Sequence, residues 1–279
     1  MAAVNQTKKQ RIDEAREAAR LAREKREKRQ RTMKVLVPTL VSLGVILLVA
    51  VVVAVIALQP KAAVALPGGP KNMASNGILY VQKGSEAQYV PTPGLKKGQK
   101  PVAPATGDAP VKVQTYVDLT CEACKAFEGQ NATQLEQMVA DGKISLEIKP
   151  VAILQGAYTS DYPDRAANLA ACVANYAPSG FLDALVTLYK NQGTEQTPGL
   201  SNDRMISLIR SAGVRNDRVE SCIRGGSFRS WVTSATQLAT SDPNLQGPQG
   251  FATPTVTVNG KLWDRQNDII SVINRAAQG

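Results

Sequence analysis

Val111, Val113, Thr115 and Val117 alternate with Lys112, Gln114 and Tyr116, the two-residue period of a strand with one buried face. Asp118-Leu119-Thr120 forms a short connection, and a helix-compatible run then opens at Cys121. Phe127, Leu135, Met138 and Val139 keep roughly to one helical face, and Asp141-Gly142 supplies a stop. Gly129 and Asn131 weaken the middle of that run and predict a kink or break there. Ile144, Leu146 and Ile148 alternate again as a strand, closed by Pro150. From about residue 160 to 240 the period changes to that of helices. Leu169, Cys172, Val173 and Tyr176 form one apolar face, and Phe181 to Tyr189 a second. Met205, Ile206, Leu208 and Ile209 follow a capping Ser201-Asn202-Asp203. Val219, Cys222 and Ile223 make a fourth face, and Phe228, Trp231, Val232 and Leu238 a fifth, with Gly213 and Gly225-Gly226 as punctuation. Beyond a loop from Ser241 to Phe251, Val256 and Val258 mark a strand. Asn259-Gly260 predicts a tight hairpin returning through Lys261 to Trp263. Asp264 or Asn267 then caps a last helix that buries Ile269, Ile270, Val272 and Ile273.

The pattern before residue 111 is of another kind. Val35 to Leu58 runs for 24 residues without a charge. As a helix it would be about 36 Å long, enough to cross a hydrocarbon core of roughly 30 Å. Pro38 falls in its first turn, where a missing N–H costs little. A cleaved signal peptide is the rival reading, with Ala63-Val64-Ala65 as the small-residue site. The apolar run is long for a signal h-region, so an uncleaved anchor is preferred. Residues 1–34 hold 12 Lys/Arg against 5 Asp/Glu, a net of +7, of the +10 carried by the whole chain. That excess places the N-terminus inside and residues 59–279 outside. The basic segment reads as a solvated cytoplasmic tail in preference to a lipid or nucleic-acid binder, and the near-neutral remainder offers no nucleic-acid groove. Residues 59–110, with LPGGPK, VPTPGLKKGQKP and APATGDAP, read as a Pro/Gly-rich extracytoplasmic stalk, within which Gly77 to Val81 forms a short strand that could belong to the domain.

The chain has 279 residues, 4 cysteines and no histidine. No Ser-His or Cys-His nucleophile pair, no His metal site and no imidazole base can be built. Cys121-Glu122-Ala123-Cys124 stands at the junction of the Val111–Val117 strand and the following helix. There the first sulfur meets the unpaired N–H groups and positive end of the helix, which favour its thiolate. The second sulfur lies one turn on, near enough to form a disulfide with the first. A static disulfide or a zinc site are the bland readings. Zinc is disfavoured because Cys172 and Cys222 are isolated and supply no second close pair. Both lie on apolar helical faces, which favours a structural Cys172–Cys222 disulfide over a second redox pair, although four cysteines allow three connectivities. Asp118 reads either as a cap of the active-site turn or as a solvated loop residue. No metal or cofactor is called for.

The succession strand, CxxC helix, strand, helical block, hairpin, helix, carried by the residues from Tyr116 to Phe127 and from Thr253 to Gly260, resembles the thioredoxin superfamily. More closely it is similar to the DsbA-like branch. The resemblance covers about residues 111–279. It implies an α/β thioredoxin fold with a helical insertion at about 160–240; the single transmembrane helix read from Val35–Leu58 would precede it. It implies Cys121 and Cys124 as the catalytic pair, with Thr253 and a cis Pro254 beside them, Thr253 pairing with an extended substrate chain. It further implies thiol–disulfide exchange on exported protein thiols, with re-oxidation by a membrane quinone-linked partner. The oxidase direction is preferred; a reductase or isomerase, or a non-enzymatic binding module of the same fold, are the alternatives. Three departures bear on the chemistry. Glu122 and Ala123 stand where the family commonly has Pro and often His, and a carboxylate beside Cys121 is expected to disfavour its thiolate. A weaker oxidant than the strongest members follows. Thr115 stands where many relatives carry a buried acid, so proton transfer to and from Cys124 needs water or another group.

Overall fold

Strand β3 (Val111–Val117) lies inside the sheet and buries Val111, Val113, Thr115 and Val117 on one face, as its alternation requires. In this computed structural model the described residues are 66–103 and 107–278, with Glu17, Arg20 and Lys25 ahead of them. The sheet has six strands in the order β2-β1-β4-β3-β5-β6, with β1 Ile78–Lys83, β2 Glu86–Tyr89, β4 Ile144–Pro150, β5 Thr255–Val258 and β6 Lys261–Leu262. β3 and β4 pair in parallel, Val111 opposite Ile144 and Val117 opposite Pro150, and the other pairings are antiparallel. Helix α1 (Glu122–Ala140) makes the crossover between β3 and β4. Every residue of β4 is buried, so its apparent alternation marks two packed faces and not one wet and one dry.

The helical block consists of α2 (Tyr162–Tyr176), α3 (Phe181–Lys190), α4 (Asn202–Ser211), α5 (Asp217–Gly225) and α6 (Arg229–Ser241), with α7 (Ile269–Ala276) closing the chain. Ser201 caps α4 by accepting from the Arg204 N–H at 3.2 Å. A disulfide joins Cys172 of α2 to Cys222 of α5, and both residues are buried in the common core. The hairpin turn falls on Asn259 and Gly260, both at positive φ, and the Asn259 side chain accepts from the Lys112 N–H at 2.8 Å, which fixes the turn against β3.

Three expectations are corrected. Helix α1 is continuous through Gly129 and Asn131; the Asn131 amide donates to the Phe127 carbonyl at 2.8 Å and so satisfies itself within the helix. The last helix is capped by Asp268, which accepts from the Ser271 N–H, and not by Asp264 or Asn267. The larger correction concerns the expected stalk at 59–110. Its described part belongs to the folded unit: β1 pairs with β4, and Met73, Ile78, Leu79 and Leu95 are buried. Lys71 and Asn72 bond to Asn175 and Ala174 of α2, and Trp231 of α6 donates to Asn76. The glycines that suggested a flexible spacer permit close crossing instead. A Cβ on Gly94 would stand 2.7 Å from the Gly69 carbonyl oxygen.

The segment Val35–Leu58 expected to span a membrane, and nearly all of residues 1–34, lie outside the described residues. Among the described residues no helix is long and apolar enough to cross a membrane.

Candidate active site

The β3–α1 junction is held by a buried carboxylate. Asp118 Oδ1 accepts from the N–H and hydroxyl of Thr120 at 2.9 and 2.7 Å, and Oδ2 accepts from the N–H groups of Ile153 and Leu154 at 2.8 and 3.2 Å. Burial pushes its carboxyl up and these four bonds oppose that push. Asp118 thus ties the turn before Cys121 to the exit of β4, the capping role and not the solvated one. Two further groups that sequence reasoning did not single out brace the same turn. Gln192, just beyond α3, donates to the carbonyls of Leu119 and Cys121 at 2.9 and 3.1 Å. Tyr158 donates to the Thr120 carbonyl at 2.9 Å. Each lies more than 30 residues from its partner, and no local pattern announces such contacts.

Cys121 is the N-cap of α1, in extended conformation and with no side-chain oxygen to satisfy the first turn. Its sulfur makes no cap hydrogen bond, but it stands at the helix start, where the N–H groups of Cys124 and Ala123 favour its thiolate. Cys121 and Cys124 are free thiols; Cys121 is 8% exposed and Cys124 fully buried, so only the first can be reached by another chain. The Cys121 thiol is pushed down to about 6. The chief cause is the Cys124 thiol donating to it, opposed by burial and helped by the Thr253 side chain and the N–H groups of Cys124 and Ala123. Cys124 is pushed the other way, well above the ordinary thiol range, first by burial and then by the neighbouring Cys121 sulfur. The pair is therefore asymmetric: a nucleophile that is ionised near neutrality beside a partner that holds its proton.

Glu122 does not play the part expected of it. Its side chain is 65% exposed and faces Lys125 at 3.6 Å. Water and the lysine screen its charge, and it does not hold the Cys121 thiolate down. Adjacency in sequence put a carboxylate next to the sulfur, but the Glu122 side chain is exposed while Cys121 is buried.

The Thr253–Pro254 peptide is cis and faces this pair. The Cys121 thiol lies 3.5 Å from the Thr253 carbonyl oxygen. The Thr253 hydroxyl is buried without another partner and sits where it can donate to either sulfur. The chain thus brings together Asp118, Cys121, Cys124, Thr253 and Pro254, leaves Glu122 at the surface, and sets the Cys172–Cys222 disulfide in the helical block. Among the described residues no cluster of His, Cys, Asp or Glu could hold a metal. The arrangement suits thiol–disulfide exchange, with one reactive sulfur and one that resolves.

The sequence matches the thioredoxin family over residues 102–273. No curated protein matches it. Among solved structures it is similar to reduced DsbA from Mycobacterium tuberculosis, with 24% identity, TM-score 0.56, and coverage of 73% of this chain and 91% of that one. It is also similar to the reduced disulfide bond oxidoreductase DsbG from Mycobacterium tuberculosis, with 29% identity, TM-score 0.51, and coverage of 63% and 81%. Oxidised BdbD from Bacillus subtilis shares the fold at 19% identity and TM-score 0.53, with 78% of this chain and all of that one covered (100%).

Proposed function

The chain belongs to the thioredoxin family, with a DsbA-like architecture, and on that premise we propose that it is a membrane-tethered, extracytoplasmic thiol–disulfide oxidoreductase that introduces disulfides into exported proteins. The observation that carries the exchange chemistry is the asymmetry of the pair. The Cys121 thiol is pushed down to about 6 at a helix N-terminus, and Cys124 is buried and pushed up. In the oxidase direction a substrate thiolate attacks Cys121 Sγ of the Cys121–Cys124 disulfide. The new substrate–Cys121 bond forms, the Cys121–Cys124 bond breaks, and Cys124 leaves and takes up a proton. A second substrate thiolate then attacks the substrate sulfur of the mixed disulfide; the substrate disulfide forms and Cys121 leaves as a thiolate. A leaving group stabilised to about 6 leaves readily, which favours giving the disulfide away. The Thr253 carbonyl beside Cys121 supports the reading that an extended substrate chain pairs there.

The tether and its orientation rest on the uncharged Val35–Leu58 run and the basic residues before it. Anchoring keeps the pair near a membrane, where a quinone-linked partner would re-oxidise it, as the resemblance implies. The test of the exchange step is covalent trapping. In the full chain expressed in a bacterial host, Cys124→Ala should accumulate reductant-sensitive complexes with exported proteins, because Cys121 can form the mixed disulfide but Cys124 is no longer there to displace the substrate. The double variant lacking Cys121 as well should give none. An absence of complexes with Cys124→Ala would contradict the proposal.

A further inference from the structure

The exchange reaction moves a proton as well as electrons. Cys124 must lose one to attack a mixed disulfide at Cys121 and must regain one when it leaves. Cys124 is fully buried and holds its proton tightly, so solvent does not serve it directly. Thr115, on the adjacent strand β3, cannot act as a base.

One group outside the described site can. Glu128 follows Cys124 by four residues on α1, so the two side chains share a helical face. Glu128 lines a cavity of about 40 Å³ between α1, α3 and the sheet, room for about two or three waters. The wall is largely apolar, yet three hydroxyls on it, those of Tyr80, Thr115 and Tyr189, are buried without a protein partner. Only five buried side-chain polar atoms among the described residues lack one, so their gathering here marks a place built to hold hydrogen-bonded water. Tyr189, fully enclosed, is common to the cavity and the thiols: its hydroxyl lies within the electrostatic reach of Cys124 and Glu128 alike.

We propose that Glu128 is the proton acceptor and donor for Cys124, acting through the Tyr189 hydroxyl and water in this cavity. During resolution the Cys124 proton passes to the Glu128 carboxylate, Cys124 Sγ bonds to Cys121 Sγ, the bond from Cys121 to the substrate sulfur breaks, and the substrate leaves as a thiolate. In the opposite direction the Glu128 carboxyl returns the proton as Cys124 leaves the disulfide. The titratable groups that line the cavity with Glu128 are Tyr80 of β1, Glu136 of α1 and Tyr189 of α3; Cys124, Asp118 and Cys121 lie within the electrostatic reach of Tyr189, and Asp183 and Tyr89 within that of Tyr80. No lysine or arginine lines the cavity, and burial pushes the Glu128 carboxyl up to about 7. A group that titrates near neutrality serves as acceptor and donor equally well.

The inference rests on the exchange reading above, and one experiment separates the two. The reduced full chain in detergent micelles is mixed with oxidised glutathione, and the formation and resolution of the Cys121–glutathione adduct are followed from pH 5 to 9. The expected result for the natural chain is a resolution rate that rises through an inflection near pH 7. Glu128→Gln should form the adduct normally, lose that inflection, and resolve at least about tenfold more slowly at pH 7. Glu136→Gln, at the rim of the same cavity, should leave the profile intact. A Glu128→Gln profile that superimposes on the natural one overturns this inference alone. Failure of Cys121 to form an adduct overturns the exchange reading and this inference with it. Should Glu128→Gln not fold, difference infrared spectra of the natural chain at pH 7 decide. A protonated-carboxyl band that changes between the oxidised and reduced forms is expected, and its absence overturns the proposal.

Discussion

The Cys121 sulfur stands at the start of α1 beside the Cys124 thiol, and its ionisation follows from those neighbours. The Cys124 thiol most of all favours the thiolate, burial opposes it, and the Thr253 side chain and the N–H groups of Cys124 and Ala123 add to the stabilisation. Alkylation of the reduced chain should therefore show Cys121 titrating with a midpoint near 6, and Glu122→Gln should move that midpoint by no more than a few tenths. A midpoint near the free-thiol value of about 8.5 would contradict this stabilisation of the thiolate. The sign carries over to stability. A thiol whose folded value lies below its unfolded one contributes stability that is full above the unfolded value and lost as pH falls through the folded value. The reduced chain should thus gain stability relative to the oxidised one as pH rises from about 6 to 8, above which the raised Cys124 opposes the gain. At this scale the sequence disclosed what is local. The CxxC spacing and the Thr253-Pro254 dipeptide were legible because the chemistry is written in adjacent residues. The weakness of the Glu122 effect was not, because exposure and the neighbouring Lys125 decide it. Nor were Gln192 and Tyr158, whose contacts with the turn exist only once the chain is folded.

Among the elements, β4 and the helical block differ most from a reading of periods alone. β4 carries Glu147 and Lys149 into the interior, where Lys149 Nζ bonds Glu147 at 2.8 Å and the Ser75 carbonyl at 2.5 Å, and Gln114 donates to Glu147 at 2.7 Å. Ser75 also bonds to Glu147. Two charges in a strand ordinarily mark a wet face. Here the segment before β1 covers that face and satisfies them, which a Pro/Gly-rich composition did not disclose. The helical block was legible in its faces, including the apolar positions of Cys172 and Cys222. Which cysteines pair was not, since periodicity says nothing of the distance between helices. That disulfide closes a separation of 50 residues, and by the chain-entropy account its removal should cost about 4 kcal/mol. Cys172→Ala with Cys222→Ala should lower the denaturation midpoint accordingly and leave the Cys121 adduct rate of the folded fraction unchanged. A loss of exchange in fully folded double variant would assign the second pair a redox part after all.

For the whole molecule, the proposed orientation places an extracytoplasmic folded unit, from about residue 64 onward, beyond a single apolar run. A membrane-impermeant maleimide applied to intact cells, with the chain held reduced, should label Cys121 without lysis. Labelling only after lysis would contradict the extracytoplasmic assignment. The two motifs and the order of elements made the thioredoxin architecture legible, because that order is fixed by which faces each segment must bury. The extent of the unit was not, because β1 is short and its partner β4 lies more than 60 residues away. The account as a whole depends on Cys121 and Cys124 forming a reversible couple poised to give its disulfide away. A leaving thiol at about 6 lies between the values of about 7 for thioredoxin and 3.5 for the most oxidising DsbA-type proteins. The most direct measurement is the redox equilibrium of the full chain in glutathione buffers, read by alkylation and mass. The account predicts a two-electron transition at about −120 to −180 mV, nearer the lower end. A transition near −270 mV, or a pair that does not exchange with glutathione at all, would contradict it.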